Sequence, residues 1–145
     1  MRFLLFDRVT HLVPGKEIQG VKTVTLMEPY LEGHFDKQPL VPSALIIEAM
    51  VQLLAWTAIT KHDFQISCVL SILEGVSVDP TLRPGHQIDL VGRLLGTNKR
   101  GSVGRAWAEV DGTEIARAER VVYGHVPPPD PEILRERFRY YGGPA

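Results

Sequence analysis

The stretch PSALIIEAMVQLLAWTAITK, residues 42–61, decides the fold. Pro42 and Ser43 mark the start of a helix, with Ser43 placed as its N-cap. From Ala44 to Ile59 nearly every residue is apolar. A helix that is apolar all round must be covered all round. In a small protein, one helix gets that cover from a curved sheet wrapped about it, or from a partner subunit. The run approaches the length of a membrane span, but Glu48 and Gln52 interrupt it and no second span follows. The expectation is a buried helix of a soluble protein.

The flanking segments supply the sheet. Before the helix, FLLFDRV (3–9) and IQGVKTVTL (18–26) carry strand formers, separated by the turn VPGKE. A long loop over 28–41 follows, containing Pro29, Gly33 and Pro39. After the helix, CVLSILEGVSV, IDLVGRLLG, VGRAWAEV and TEIARAERVVYGHV are strand candidates. RPGHQ, NKRGS and Asp111-Gly112 provide the turns, and Asp-Gly is a strong hairpin signal. The last three strands therefore form an antiparallel meander. The class is α+β, a long antiparallel sheet wrapped around one central hydrophobic helix. Residues 1–126 form the expected domain. The tail 127–145 opens on PPPDPE and continues as a short helix or a loose end.

Composition narrows the function. The chain has 145 residues and a net charge of −1, which suits one core and argues against broad polyanion binding. Its single cysteine, Cys68, cannot form an intramolecular disulfide and is expected as a small core residue in a reducing, cytoplasmic setting. The N-terminal apolar run is too short for a signal peptide, Asp7 breaks it, and no lipidation motif is present. His11, His62, His86 and His125 are scattered and show no zinc-ligand spacing, so no metal is expected.

Glu48 is the residue that asks for a function. A capping box from Ser43 would need Glu or Gln at position 46, which is Ile. A helix ion pair has no Lys or Arg available before Lys61. Ala44, Leu45, Val51 and Ala55 lie close by and make a solvent-facing stripe a poor account. A carboxyl group buried there has its pKa raised and can serve as a general acid. Gln52, one turn on, can bond that carboxyl group and fix its rotamer. Upstream, His34 sits in a Gly-aromatic loop, LEGHF. Histidine is the usual general base, but a lone loop histidine is weak evidence.

Taken together, FLLFDRV, PGKEIQGVKTVTLMEPYLEGHF and the pattern from Pro39 through LIIEAM to Gln52 resemble the FabZ-like 3-hydroxyacyl-acyl-carrier-protein dehydratases of bacterial fatty acid synthesis. The RPGHQIDL turn and the VDGTEIARAE hairpin belong to the likeness, which spans roughly residues 2–123. The resemblance implies a hotdog fold and a homodimer, often within a hexamer built as a trimer of dimers. In it the histidine of one subunit meets the glutamate of the other. It assigns His34 and Glu48 as catalytic and Gln52 as the accompanying glutamine, with Gly33 and Phe35 supporting the histidine loop. Ser43 occupies the position of a glycine whose backbone N–H holds the thioester oxygen. The implied substrate is a (3R)-3-hydroxyacyl thioester on the phosphopantetheine of acyl-carrier protein, or on coenzyme A, and no cofactor is implied. The product is a trans-2-enoyl thioester in fatty acid or related lipid or polyketide synthesis.

Two positions depart from the family pattern. Ser43 stands for glycine, and Asp36 stands where proline usually follows His-Phe. They keep open a non-catalytic binding paralogue beside the dehydratase, with a hotdog thioesterase as the other alternative. A double-bond isomerase ranks lower, because such relatives usually carry aspartate at the Glu48 position. An acidic carrier protein would meet a basic tunnel mouth, for which Arg83, Lys99, Arg100 and Arg105 are candidates.

Overall fold

A computed structural model describes residues 5–32 and 37–143. Strands β1 (Arg8–Val13) and β2 (Glu17–Thr23) lead through a 3-10 turn, Pro29–Leu31, to helix α1 (Ser43–Lys61). Strands β3 (Ser67–Val78), β4 (Gln87–Thr97), β5 (Gly101–Val110) and β6 (Thr113–Val126) follow, and helix α2 (Pro131–Tyr140) closes the chain. The strands form one six-stranded sheet in the order β1-β2-β4-β5-β6-β3, with every neighbour antiparallel. The sheet wraps α1, as the helix composition requires. By length and composition α1 could cross a membrane, but here 56% of its apolar window is buried in the fold.

Close approach of sheet to helix depends on missing side chains. Gly20 on β2 faces Leu53, and an added Cβ would lie 2.9 Å from its Cδ1. Gly104 on β5 faces Leu54, and its added Cβ would also come within 2.6 Å of the Arg93 carbonyl oxygen. Leu53 and Leu54 are fully buried as a result. The Asp111-Gly112 turn behaves as its sequence requires, with φ of 50° and 80°, the left-handed pair of a type I′ hairpin.

Two local expectations are corrected. Of the described part of the FLLFDRV run, Leu5 to Asp7 lie outside the first strand, which begins at Arg8. Leu5 and Phe6 serve packing instead: the Phe6 ring lies 4.6 Å from that of Tyr141, and the Leu5 N–H donates to Gln52. Ser43 is the first helical residue, and Pro42, extended at φ −59° and ψ 124°, takes the cap position. Proline's fixed φ suits an entry to a helix, but it brings no side-chain acceptor.

The tail is a docked amphipathic helix. Asp130 caps α2 by accepting from the Glu132 N–H at 2.9 Å. The Phe138 ring stacks on Trp56 of α1 at 5.1 Å, and the Val9 N–H donates to the Tyr141 carbonyl at 2.8 Å. Arg135 reaches Asp63 at 3.1 Å, just beyond the C-terminus of α1. At that same end, His62 Nε2 bonds Thr97 Oγ1 (2.8 Å), Thr97 bonds Ser102 Oγ (2.8 Å), and Ser102 bonds His125 Nε2 (2.7 Å). This polar chain ties the end of α1 to β4, β5 and β6.

Gly104→Ala is expected to cost about 1–3 kcal/mol, the usual range for overpacking. Gly96→Ala, whose Cβ would sit at an ordinary 3.6 Å from Val103, is expected to cost little. Urea unfolding of both variants checks this, and equal losses would contradict the close-approach account.

Candidate active site

The side of α1 left by the sheet and by α2 forms a strip along Ala44, Glu48, Gln52 and Ala55. Ala44 and Glu48 are exposed, and Gln52 and Ala55 are half-buried. These positions recur at helical spacing, so they lie above one another on one face. Gln52 Nε2 donates to Glu48 Oε1 at 3.1 Å, while Gln52 Oε1 accepts the Leu5 N–H at 3.1 Å. The backbone of the N-terminal segment thus sets the amide orientation, and the amide holds the carboxyl group. The expected bond between Gln52 and Glu48 is present. The expected burial of Glu48 is not: among the described residues the sheet and α2 leave it exposed.

Glu48 and Gln52 form one end of a cavity of about 290 Å³. Its walls are mostly apolar, with Val51, Trp56 and Ile59 of α1, Leu70 of β3, Tyr123 of β6 and Leu134 of α2, while Ser67 of β3 and Arg137 of α2 add polar groups. The Tyr123 hydroxyl is buried and donates to the Val51 carbonyl at 2.5 Å, pinning β6 to the helix. Burial, and then the negative charges that Cys68 and Glu48 can carry, push the Tyr123 hydroxyl well above its ordinary pKa. Cys68 also faces the cavity, and burial pushes its thiol up to about 12.

The remaining expected site residues fall elsewhere. Gly33, His34, Phe35 and Asp36 lie outside the described residues. Ser43 opens α1 five residues before Glu48. Lys37, which follows the His34 loop, lines a separate groove of about 610 Å³ with Leu26 and Arg83. Of the four basic candidates, Arg83 alone lines that groove. Lys99 and Arg100 sit at the β4–β5 turn, and the Arg105 guanidinium lies 5.8 Å from the Trp107 ring on β5. Among the described residues no group of three or more His, Cys, Asp or Glu could hold a metal ion. Sequence reasoning missed Tyr123 and the α2 wall. Tyr123 meets its partner 72 residues away and carries no local signal. The spacing of Leu134, Phe138 and Tyr141 was a usable signal for a docking helix face.

A FabA-like domain matches residues 1–119. The chain belongs to the FabA-like family. Among its relatives in this family, a 3-hydroxyacyl-acyl-carrier-protein dehydratase FabZ from Caldicellulosiruptor bescii is 33% identical over 120 residues, covering 81% of this chain and 84% of that protein. The FabZ of Syntrophotalea carbinolica is 39% identical over 121 residues, covering 81% of each. The dehydratase heterocomplex ApeI:P from Xenorhabdus doucetiae has a chain that superposes with a TM-score of 0.65 at 18% identity, covering 93% of this chain and 90% of that one. A mutant thioesterase from Pseudomonas aeruginosa superposes with a TM-score of 0.63 at 17% identity, covering 83% and 81%. The two superpositions speak for the hotdog fold alone. The family match includes Glu48 and Gln52 and ends before α2 begins.

Cys68 is expected to resist alkylation. At pH 8 a thiol raised to about 12 has only ~10⁻⁴ of its population as the reactive thiolate, against about a quarter for a free cysteine. Iodoacetamide labelling should be at least about 100-fold slower in the native protein than after denaturation. It should quicken steadily as pH rises. Equal native and denatured rates would contradict this.

Proposed function

We propose that the protein dehydrates 3-hydroxyacyl thioesters carried on acyl-carrier protein, giving trans-2-enoyl thioesters. The observation that carries the reading is Glu48. In a FabA-like chain, this carboxyl group is held by Gln52 at one end of a mostly apolar cavity. Neutral His34 takes the C2 proton, and protonated Glu48 gives its proton to the departing C3 hydroxyl. The C2–H and C3–O bonds break, the C2=C3 bond forms, and water leaves. A proton then passes from His34 back to Glu48 and resets the pair. All atoms come from the substrate, so the step needs no cofactor. Negative charge that develops on the thioester oxygen is met by backbone N–H groups of the first turn of α1, with the Ser43 amide as the donor. Serine keeps that N–H, although it adds a side chain where the family usually has none.

The same reading makes the protein a homodimer. Among the described residues β3 is an edge strand paired with β6 alone, and it exposes Val69, Leu70, Ile72 and Val76. An exposed edge with apolar side chains is a template for pairing with another strand. A second copy pairing there would cover the Glu48 strip, exclude water from it and bring up the partner subunit's His34. A hexamer built from three such dimers is the further expectation. Lys37 and Arg83, beside exposed Leu26, give the groove next to the His34 loop a cationic rim suited to an acidic carrier protein. A reducing cytoplasm fits the lone cysteine.

Incubation with 3-hydroxyacyl-carrier protein, followed by mass spectrometry, is expected to show loss of one water. His34→Ala and Glu48→Gln should each lower the rate about 10²–10⁴-fold. Release of free acid without enoyl product would move the protein to the thioesterases. Absence of both reactions would leave a binding paralogue.

Sedimentation checks the assembly. The wild type is expected at the mass of a dimer or a multiple of it, and Ile72→Lys should shift it toward the monomer. A monomeric wild type would overturn the shared-site arrangement.

A further inference from the structure

α2 begins twelve residues after the family match ends, from residue 119 to Pro131, yet it walls the cavity that holds Glu48. Leu134, Arg137 and Tyr141 all line that cavity. They stand at i, i+3 and i+7, one face of the helix and its C-terminal turn. The helix is fixed rather than loosely placed. The Phe138–Trp56 stack, the Arg135–Asp63 ion pair and the Val9–Tyr141 backbone bond hold it along its length. On α1 the cavity runs from Glu48 to Ile59, which is about 16 Å at 1.5 Å per residue. Glu48 and Gln52 mark one end, and α2 packs on Trp56, toward the other, where Leu134 gives the apolar part of its wall and Arg137 a charged one.

We propose that α2 is a specificity element that ends the acyl site, with Leu134 setting how long an acyl chain the cavity accepts. This rests on the dehydratase reading for its substrate, but the acyl chain itself is argued from the cavity. A reacting group placed at Glu48 sends its hydrocarbon along an apolar wall, and that wall finishes at the α2 face. At about 290 Å³ the cavity lies near the lower limit of ordinary ligand sites, roughly 300–1,000 Å³. Leu134 is 6% exposed and contributes side-chain bulk to the wall, whereas its neighbour Ile133 is 50% exposed and does not line the cavity.

The test has two arms. In the first, 3-hydroxyacyl-carrier proteins of graded chain length are turned over by the wild type, Leu134→Ala, Leu134→Phe and Ile133→Ala. Leu134→Ala should raise the long-to-short ratio of kcat/KM at least about tenfold, the least that removing a methylene from an apolar pocket is worth. Leu134→Phe should lower the ratio, and Ile133→Ala should leave it unchanged. In the second arm, free fatty acids of graded length are titrated by calorimetry, and the same order of shifts is expected in binding. If Leu134→Ala does not fold, the Leu134→Phe shift decides. A wild type that loses no water, with Leu134 variants that still shift the length preference for fatty acids, sinks the dehydratase reading and keeps this one. Superimposable length profiles for folded wild type and Leu134 variants overturn the proposal, as does absence of fatty-acid binding in the second arm.

Discussion

A helix that is apolar on every side has to be enclosed on every side, and most of this structure is the enclosure of α1. The strands wrap it closely because Gly20 and Gly104 let their backbones reach Leu53 and Leu54. What the sheet leaves uncovered, α2 covers in part by laying Phe138 against Trp56. One strip remains, and it carries the charged residue of the helix interior. The position of Glu48 is therefore a consequence of how the enclosure runs out. A carboxyl group fully wrapped by β2, β4 and β5 would have no route to a substrate.

The same incompleteness appears at the sheet edge. Among the described residues β3 has a neighbour on one side only, and it presents apolar side chains to solvent. The open strip of α1 and the open edge of β3 border one cavity, through Glu48 and Leu70. An edge that invites a second strand and a carboxylate that lacks cover are thus one unfinished surface. The chemistry assigned to Glu48 depends on completing it. Tyr123 matters here because its bond to the Val51 carbonyl fixes the distance between the sheet and the strip.

Much of this could be read from local patterns. The extent of α1, the later strands and the Asp111-Gly112 turn follow from apolar runs and turn residues, and their order gives the meander. The bond between Gln52 and Glu48 follows from a spacing of four. Other features depend on contacts distant in sequence. Leu5 and Phe6 look like strand residues until Tyr141 and Gln52 claim them. Glu48 looks buried because its neighbours in sequence are apolar, yet exposure depends on which side of the helix the sheet reaches. The docking of α2 combines a legible amphipathic pattern with an acceptor surface, around Trp56, that only the fold assembles. His34 and its loop, central to the sequence reading, lie outside the described residues.

The polar chain at the far end of α1 has a property of its own. Three hydrogen bonds join His62, Thr97, Ser102 and His125, but the two hydroxyls bring only two hydrogens. At least one must come from a ring, and when both hydroxyls donate within the chain one imidazole donates through Nε2 and the other accepts there. His125 is suited to accept. Burial first, and the nearby charge of His62 second, lower its pKa and so favour its neutral form. His62 is left as the donor, and both hydroxyls take their direction from it. If the rings exchange roles, every hydrogen in the chain must reverse together. The end of the central helix is thus joined to the sheet by a fastening that can run in either sense.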